Sequence, residues 1–431
     1  MRPLATTLLL LGAAVGAQEL APTPIDLPTV LKLAGAQGIE IEIAEAKLHE
    51  ARANEDGSLW QFFPVIAPGI GYMNHTGQAQ SFAGSVSDIN KQSTIAGATV
   101  LMKLEIGEAI YHRLAAKQIA VAAEQNVAAQ RRQTTLQASL SYFDLAKAHH
   151  AVRLHEEALK VAKDYHDQIT RGVQAGVAFK GDELRADAQV TRQELRLSQA
   201  KDARRAEAAH LAQILRLKIT ESLTPADDHP LALTFVERGR KLDDFVQNAL
   251  QKRPELLEAG ALHEAARHND DAATYAPLYP TLGAQVFAGG LGGSTSSARQ
   301  DFGNSTDTMV TLTWKIGAGG LFDSSRTEGA QARLKQTQLQ ETRTREDIIR
   351  QVVEAQSHVQ YLDQQLKVAA AGVRAAEQGL MLSLARREFS VGIVLEALQS
   401  QQDLIQARLD YAGTIAELNK AQVRLKSAAG E

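Results

Sequence analysis

The chain has 431 residues, of which 44% are hydrophobic, and a formal charge of -4. That is enough apolar material for a folded core and no basic excess of the kind that attracts nucleic acid, so no nucleic-acid partner is expected. The absence of cysteine excludes a disulfide framework, thiolate metal sites, a cysteine nucleophile and a lipid-modified N-terminal cysteine.

In chain order, residues 1–17 read as a secretory signal: Arg2, a short apolar run from Leu4, and small residues at Val15 and Ala17 precede a mature start at Gln18. That run is shorter than the roughly 20 residues a spanning helix needs, and no other apolar stretch reaches that length. Residues 18–224 form a first structural repeat. Leu27 to Leu59 has helical spacing, residues 64–73 and 98–107 alternate as strands, and residues 108–222 form a proline-free helical hairpin rich in Ala, Gln, Arg, Glu and Leu. Val100, Met102, Leu104 and Ile106 share one strand face, with Leu101, Lys103 and Glu105 on the other.

Residues 225–241, "PADDHPLALTFVERGRK", carry turn residues and read as the connector. Residues 242–431 repeat the first order: a helix at 242–274, strands at 281–288 and 308–316, and a helical hairpin at 322–429. Here Val310, Leu312, Trp314 and Ile316 share a face opposite Thr311, Thr313 and Lys315. The polar stretches "SFAGSVSDINKQST" and "GGLGGSTSSARQDFGNSTD" read as exposed hairpin loops.

Three landmarks support the repeat. "LHEA" occurs at Leu48 and again at Leu262, 214 residues on; Pro64 in "FFPVIAPGIGY" and Pro280 in "LYPTLGAQVFA" are 216 apart; Gly176 and Gly392 are also 216 apart. Residues 58–112 and 275–322 hold 12 of the 21 aromatic residues, which sets the strand regions apart from the helices. Aromatics flanking short alternating strands are a girdle pattern of outer-membrane barrels. From the strands alone, a soluble antiparallel sheet with one packed face fits equally well.

If the strands span a membrane, four are too few to pair all their backbone groups, since spanning barrels begin at about eight strands, so several chains must share one barrel. The arm from Glu108 to Arg171 would reach roughly 95 Å as a helix. Its Ala-rich faces suit closely packed helices rather than a bulky core. A secreted coiled-coil structural or tethering protein without a pore is the alternative.

Other clusters carry less. His149, His150, His155 and His166 lack the i, i+4 spacing of a helical metal site, so no metal is expected. "GGLGGST" lacks the lysine of a phosphate loop, and the sequons at Asn74 and Asn304 fall near predicted loops. Glu156, Glu157 and Asp182 have no nucleophile, His or metal partner at readable spacing, so neither enzyme chemistry nor a cofactor is expected.

Over nearly the whole mature length the chain resembles the TolC-like outer-membrane efflux proteins. The resemblance rests on "ALQKRPELLEAGALHEAARHND" (Ala249 to Asp270), Tyr279–Pro280, "LTWKIGAGGLFDSSR" (Leu312 to Arg326) and "FSVGIVLEALQSQQDLIQARLDY" (Phe389 to Tyr411), in that order and spacing. It implies a mixed α and β fold of long antiparallel helical hairpins with four strands per chain, joined as a homotrimer into a twelve-stranded barrel in outer-membrane lipid and continued by a periplasmic helical tunnel. It also implies a passive exit duct for efflux or type I secretion, opened by a periplasmic adaptor and an inner-membrane pump. The tip and gate positions it implies are Arg171, Gly176, Asp182 and Leu184 in the first hairpin and Arg387, Phe389, Gly392 and Glu396 in the second. The second tip departs from the family pattern: it is two residues shorter, with Val394 near the arginine position and Gln399 in place of an acid. Asp182 and Glu396 also fit a plain capping role at helix starts.

Overall fold

The computed structural model describes residues 23–218, 223–227, 230–237, 239–295, 301–388 and 394–431. The expected signal at 1–17 lies outside them. The elements run β1 (Thr23–Ile25), α1 (Leu27–Gln37), α2 (Ile39–Leu59), β2 (Val65–Gln80), β3 (Val86–Glu105), α3 (Ile106–Gln174), α4 (Lys180–Ile214), β4 (Leu223–Pro225), α5 (Leu242–Lys252), α6 (Pro254–Tyr275), β5 (Thr281–Thr295), β6 (Asp301–Thr313), α7 (Ser324–Glu388) and α8 (Val394–Ala428). Two helices, two strands, a very long helix and a further helix thus follow one another twice.

Two compact units emerge, and each takes segments from both halves of the chain. One comprises Met1–Gly38, Gln133–Gly239 and Ala355–Ser427; the other comprises Ile39–Arg132, Arg240–Glu354 and Ala428–Glu431.

The second unit holds a four-stranded antiparallel sheet in the order β2-β3-β5-β6. The β3–β5 ladder joins the two halves, pairing Val100 with Val286 and Leu104 with Leu282. β2 and β6 are left as its two edges. Glycine allows two tight approaches here. A Cβ on Gly97 would lie 2.7 Å from the Gly289 Cα and 2.9 Å from the Phe287 ring, and one on Gly107 would lie 2.5 Å from the Ala276 Cα. An aromatic ring covering paired glycines restores the packing those positions lack.

The first unit is built on α1, α8 and the parts of α3, α4 and α7 that fall within it. Asp26 caps α1 by accepting from the Thr29 amide at 3.1 Å, and Pro28 sits in the first turn, where its missing N–H costs nothing. Val30, Ala34, Ala138, Tyr142, Phe143, Leu145, Leu211 and Leu215 form its main core. Alanine is the commonest buried residue of α3 and α4, as in Ala138, Ala158, Ala162 and Ala212, which permits close helix approach. The connector is held by two side-chain amides of α8. Asn419 accepts from the Leu233 amide at 2.9 Å and donates to the Leu231 carbonyl at 2.8 Å. Gln422 does the same with the Phe235 amide (2.9 Å) and the Leu233 carbonyl (2.8 Å). One helical turn apart, they give an irregular segment the partners a strand would supply.

Several expected boundaries are corrected. The helices expected at 27–59 and 242–274 are each divided, at Gly38 (φ -64, ψ 130) and at Arg253 (φ -72, ψ 121). Arg253 precedes Pro254, whose ring excludes the helical conformation from its neighbour. α4 ends at Ile214, not 222, because Arg216 turns left-handed (φ 54) and its amide and that of Leu217 close back onto Gln213 and Ala212. The strands extend well into the stretches expected as loops: β2 to Gln80, β3 from Val86, β5 to Thr295 and β6 from Asp301. Apolar alternation stops there, but an antiparallel ladder needs only backbone partners. At the other end the strands stop sooner. Ile106 opens α3, and Trp314 and Ile316 lie beyond β6, where Gly317 turns to φ 95.

Replacing Asn419 and Gln422 together by alanine removes four bonds to the connector and is expected to cost about 2–4 kcal/mol. Thermal denaturation checks this; an unchanged midpoint would mean that the connector is held by other contacts.

Candidate gate and membrane-facing sheet

At the turn between α3 and α4, the Val177 amide bonds to the Gly172 carbonyl at 2.9 Å and the Gly176 amide to the Val173 carbonyl at 3.1 Å, with Gly176 at φ +75. This closure of a helix end needs a residue that tolerates the left-handed region. Arg171 lies in the last turn of α3 and donates to the Asp167 carbonyl at 3.2 Å. Asp182 and Glu183 occupy the first turn of α4 at its positive end, and each pairs within the helix: Asp182 with Arg185 at 3.1 Å and Glu183 with Lys180 at 2.6 Å. Leu184 is exposed, and so are Val177 and Phe179, two apolar tip residues that the sequence reading passed over.

In the second hairpin, Arg387 belongs to α7, while Phe389 and Gly392 lie outside the described residues. Glu396, in the first turn of α8, accepts from the Arg386 guanidinium at 2.8 Å. The basic partner of Glu396 thus comes from the last turns of α7. Just inside the tips, Tyr165 and Ile169 of α3, Ala186 of α4 and Leu398 of α8 pack together, and Gln402 donates to Gln189 at 2.8 Å. The structure brings α3, α4 and α8 together here; it does not pair Asp182 with Glu396.

The sheet register sorts residues onto two faces. Leu104, Leu282 and Leu312 form one cross-strand row; Met102, Ala284 and Val310 the next; Ile66, Val100, Val286 and Thr308 the third. The same face continues through Pro68, Ala98 and Ala288, then Ile70 and Ala96, to Tyr72, Thr94 and Phe302. No charged residue interrupts it. Ten residues separate Leu104 from Thr94, or roughly 34 Å along the strand at about 3.4 Å each. A tilt of about 40° reduces that to roughly 25 Å of height, the span of an outer-membrane apolar band. Tyr72 and Phe302 edge the belt at one end, and Phe63, Tyr279 and Trp314 lie near the other. The opposite face mixes Lys103, Glu105, Gln285, Asp307 and threonines with apolar residues.

Where the sheet meets the helices, Arg326 joins four segments. Its guanidinium donates to Gly319 O (3.1 Å) and Ala272 O (3.0 Å) and pairs with Glu108 of α3. Asp323 accepts from the amides of Gly319 (2.7 Å) and Arg326 (3.1 Å), which holds its carboxyl below the usual range.

This arrangement of a membrane-type sheet with paired helical hairpins defines the class of an outer-membrane channel. The profile of the family "Outer membrane efflux protein" matches residues 30–215 and 245–431, and the chain belongs to that family. Protein CyaE of Bordetella pertussis is 28% identical over 302 residues, which cover 68% of this chain and 60% of the length of CyaE. A membrane protein from Pseudomonas aeruginosa superposes with a TM-score of 0.81 at 19% identity, covering 94% of this chain and 93% of its own. The Campylobacter jejuni CmeC outer membrane channel gives 0.80 at 16% identity (94% and 85%), and VceC of Vibrio cholerae gives 0.78 at 16% (94% and 96%). None of these similarities supports the alternative of a pore-less coiled-coil tether.

Gly176→Ala is expected to cost about 1–2 kcal/mol, because it forces a Cβ into the left-handed region. Gly181→Ala, helical and with open space around it, should gain up to about 1 kcal/mol. Denaturant titration of both variants checks the pair; equal effects would remove the claim that the tip turn depends on Gly176.

Proposed function

We propose that this protein is the outer-membrane exit duct of an efflux or type I secretion assembly. Three copies each contribute β2, β3, β5 and β6 to one twelve-stranded barrel in outer-membrane lipid. The helices α3, α4, α7 and α8 continue it as a tunnel in the periplasm, and the two similar halves arose by duplication. The belt of six uncharged rows, on a sheet with two unpaired edges, carries this reading. Buried in lipid, such edges would leave backbone groups without partners, so the sheet must close with other copies. β2 and β6 run in opposite directions, so joining one copy's β6 to the next copy's β2 continues the antiparallel ladder.

In this reading the hairpin tips form the periplasmic gate and the surface met by an adaptor, which links the duct to an inner-membrane pump. Exposed Val177, Phe179 and Leu184 suit such a contact. The duct is passive, and the pump supplies the energy. Arg386 takes the basic role in holding the second tip through Glu396. Asp182, already paired with Arg185, acts mainly at the start of α4.

The test is conductance across a planar bilayer. Purified protein should insert as a channel of stable low conductance, raised by Asp182→Ala together with Glu396→Ala and by Arg386→Ala alone. The Arg386–Glu396 pair is exposed, so its loss should change stability by no more than about 1 kcal/mol. A channel whose conductance ignores all three changes would leave these residues a capping role only; no channel at all would contradict the duct.

A further inference from the structure

The loop that leaves β6 is held by several independent bonds. The Leu321 amide reaches the Lys315 carbonyl at 2.9 Å, Gly317 and Leu321 pair at 2.9 Å, and Gly320 donates to Gly317 at 2.8 Å. Asp323 and Arg326 clamp Gly319 from the helix side. A side chain on Gly320 would collide with the Lys315 carbonyl. Within this frame Phe322 adopts φ 69, a left-handed conformation that bulky residues avoid, and the residue is 89% exposed. A strained residue persists only where its surroundings over-determine it, and here they direct an aromatic ring into solvent. Trp314 differs: its indole N–H donates to the Leu278 carbonyl of its own chain at 3.4 Å.

A second exposed aromatic group lies at the opposite edge of the sheet. Trp60 and Phe63 sit just before β2, 73% and 56% exposed, with ring centroids 5.6 Å apart. β2 begins at the end of the sheet where β6 finishes, because Val65 pairs with Leu101 near the close of β3, and Thr281 faces both Glu105 and Thr313. Joining β6 of one copy to β2 of the next therefore brings the two groups to one place.

We propose that Phe322 of one protomer packs on the Trp60–Phe63 pair of its neighbour, forming three aromatic seams around the helical end of the barrel. This rests on the trimeric barrel proposed above and names the contact that fixes how adjacent copies meet. The rigid loop presents the ring in advance, so little conformational freedom is lost on assembly. The seam continues the β6–β2 junction, and the same apolar rings would otherwise face lipid or water.

Incorporating a photo-reactive phenylalanine analogue at position 322 of the full-length protein, in native membranes, tests the seam. Ultraviolet exposure should give covalent species of two and three chains, with the adduct mapping to the peptide that contains Trp60 and Phe63. Trp60→Ala with Phe63→Ala should abolish that adduct while light scattering in detergent still finds three chains per particle. A three-chain particle whose probe labels only lipid or its own chain would overturn the seam and leave the trimer standing. A particle that is not a trimer would overturn both.

Discussion

The unpaired edges of β2 and β6 are the constraint on which the rest depends. A backbone N–H or carbonyl facing hydrocarbon without a partner costs several kcal/mol, so an open four-stranded sheet cannot rest in a bilayer. In water the same edges would invite uncontrolled pairing. The proposed closure with other copies would resolve both problems. In the proposed duct it would also account for one face carrying six rows without charge while the other mixes polar and apolar residues, the first toward lipid and the second toward a passage.

That closure needs a firm connection between strands and helices, and the sequence "GAGGLFDSSR" supplies it. Arg326 reaches Gly319, Ala272 and Glu108, while Asp323 satisfies two amides at the start of α7. The bonds join the end of β6, the end of α6 and the starts of α3 and α7 within a few ångströms. In the other unit, Asn419 and Gln422 perform a comparable task, holding the connector by backbone-like bonds. Polar side chains thus organise the places where regular structure changes.

Much of this was legible in the residues. Alternation at 98–107 and 308–316 fell on the later parts of β3 and β6, and Gly176 marked the turn between α3 and α4. Strand length was not legible, because side-chain alternation reports only the belt and the backbone ladder continues through Ser, Asn and Gln beyond it. Nor was the division at Gly38, where a single glycine breaks an otherwise continuous helical pattern. The Arg386–Glu396 pair escaped because its partners lie on different helices, and no periodicity links residues ten apart in that way. Asn419 and Gln422 looked like ordinary polar helix positions; only the path of the connector gives them a role. The left-handed Phe322 leaves no mark in composition or spacing at all.

Amide hydrogen exchange on the membrane-embedded protein, resolved along β2 and β6, tests the central claim most directly. If neighbouring copies close the barrel, the outer-edge amides of Val65–Tyr72 and Met309–Thr313 will exchange as slowly as those of β3 and β5, which are paired on both sides within one chain. Rapid exchange confined to those outer edges would contradict the shared barrel.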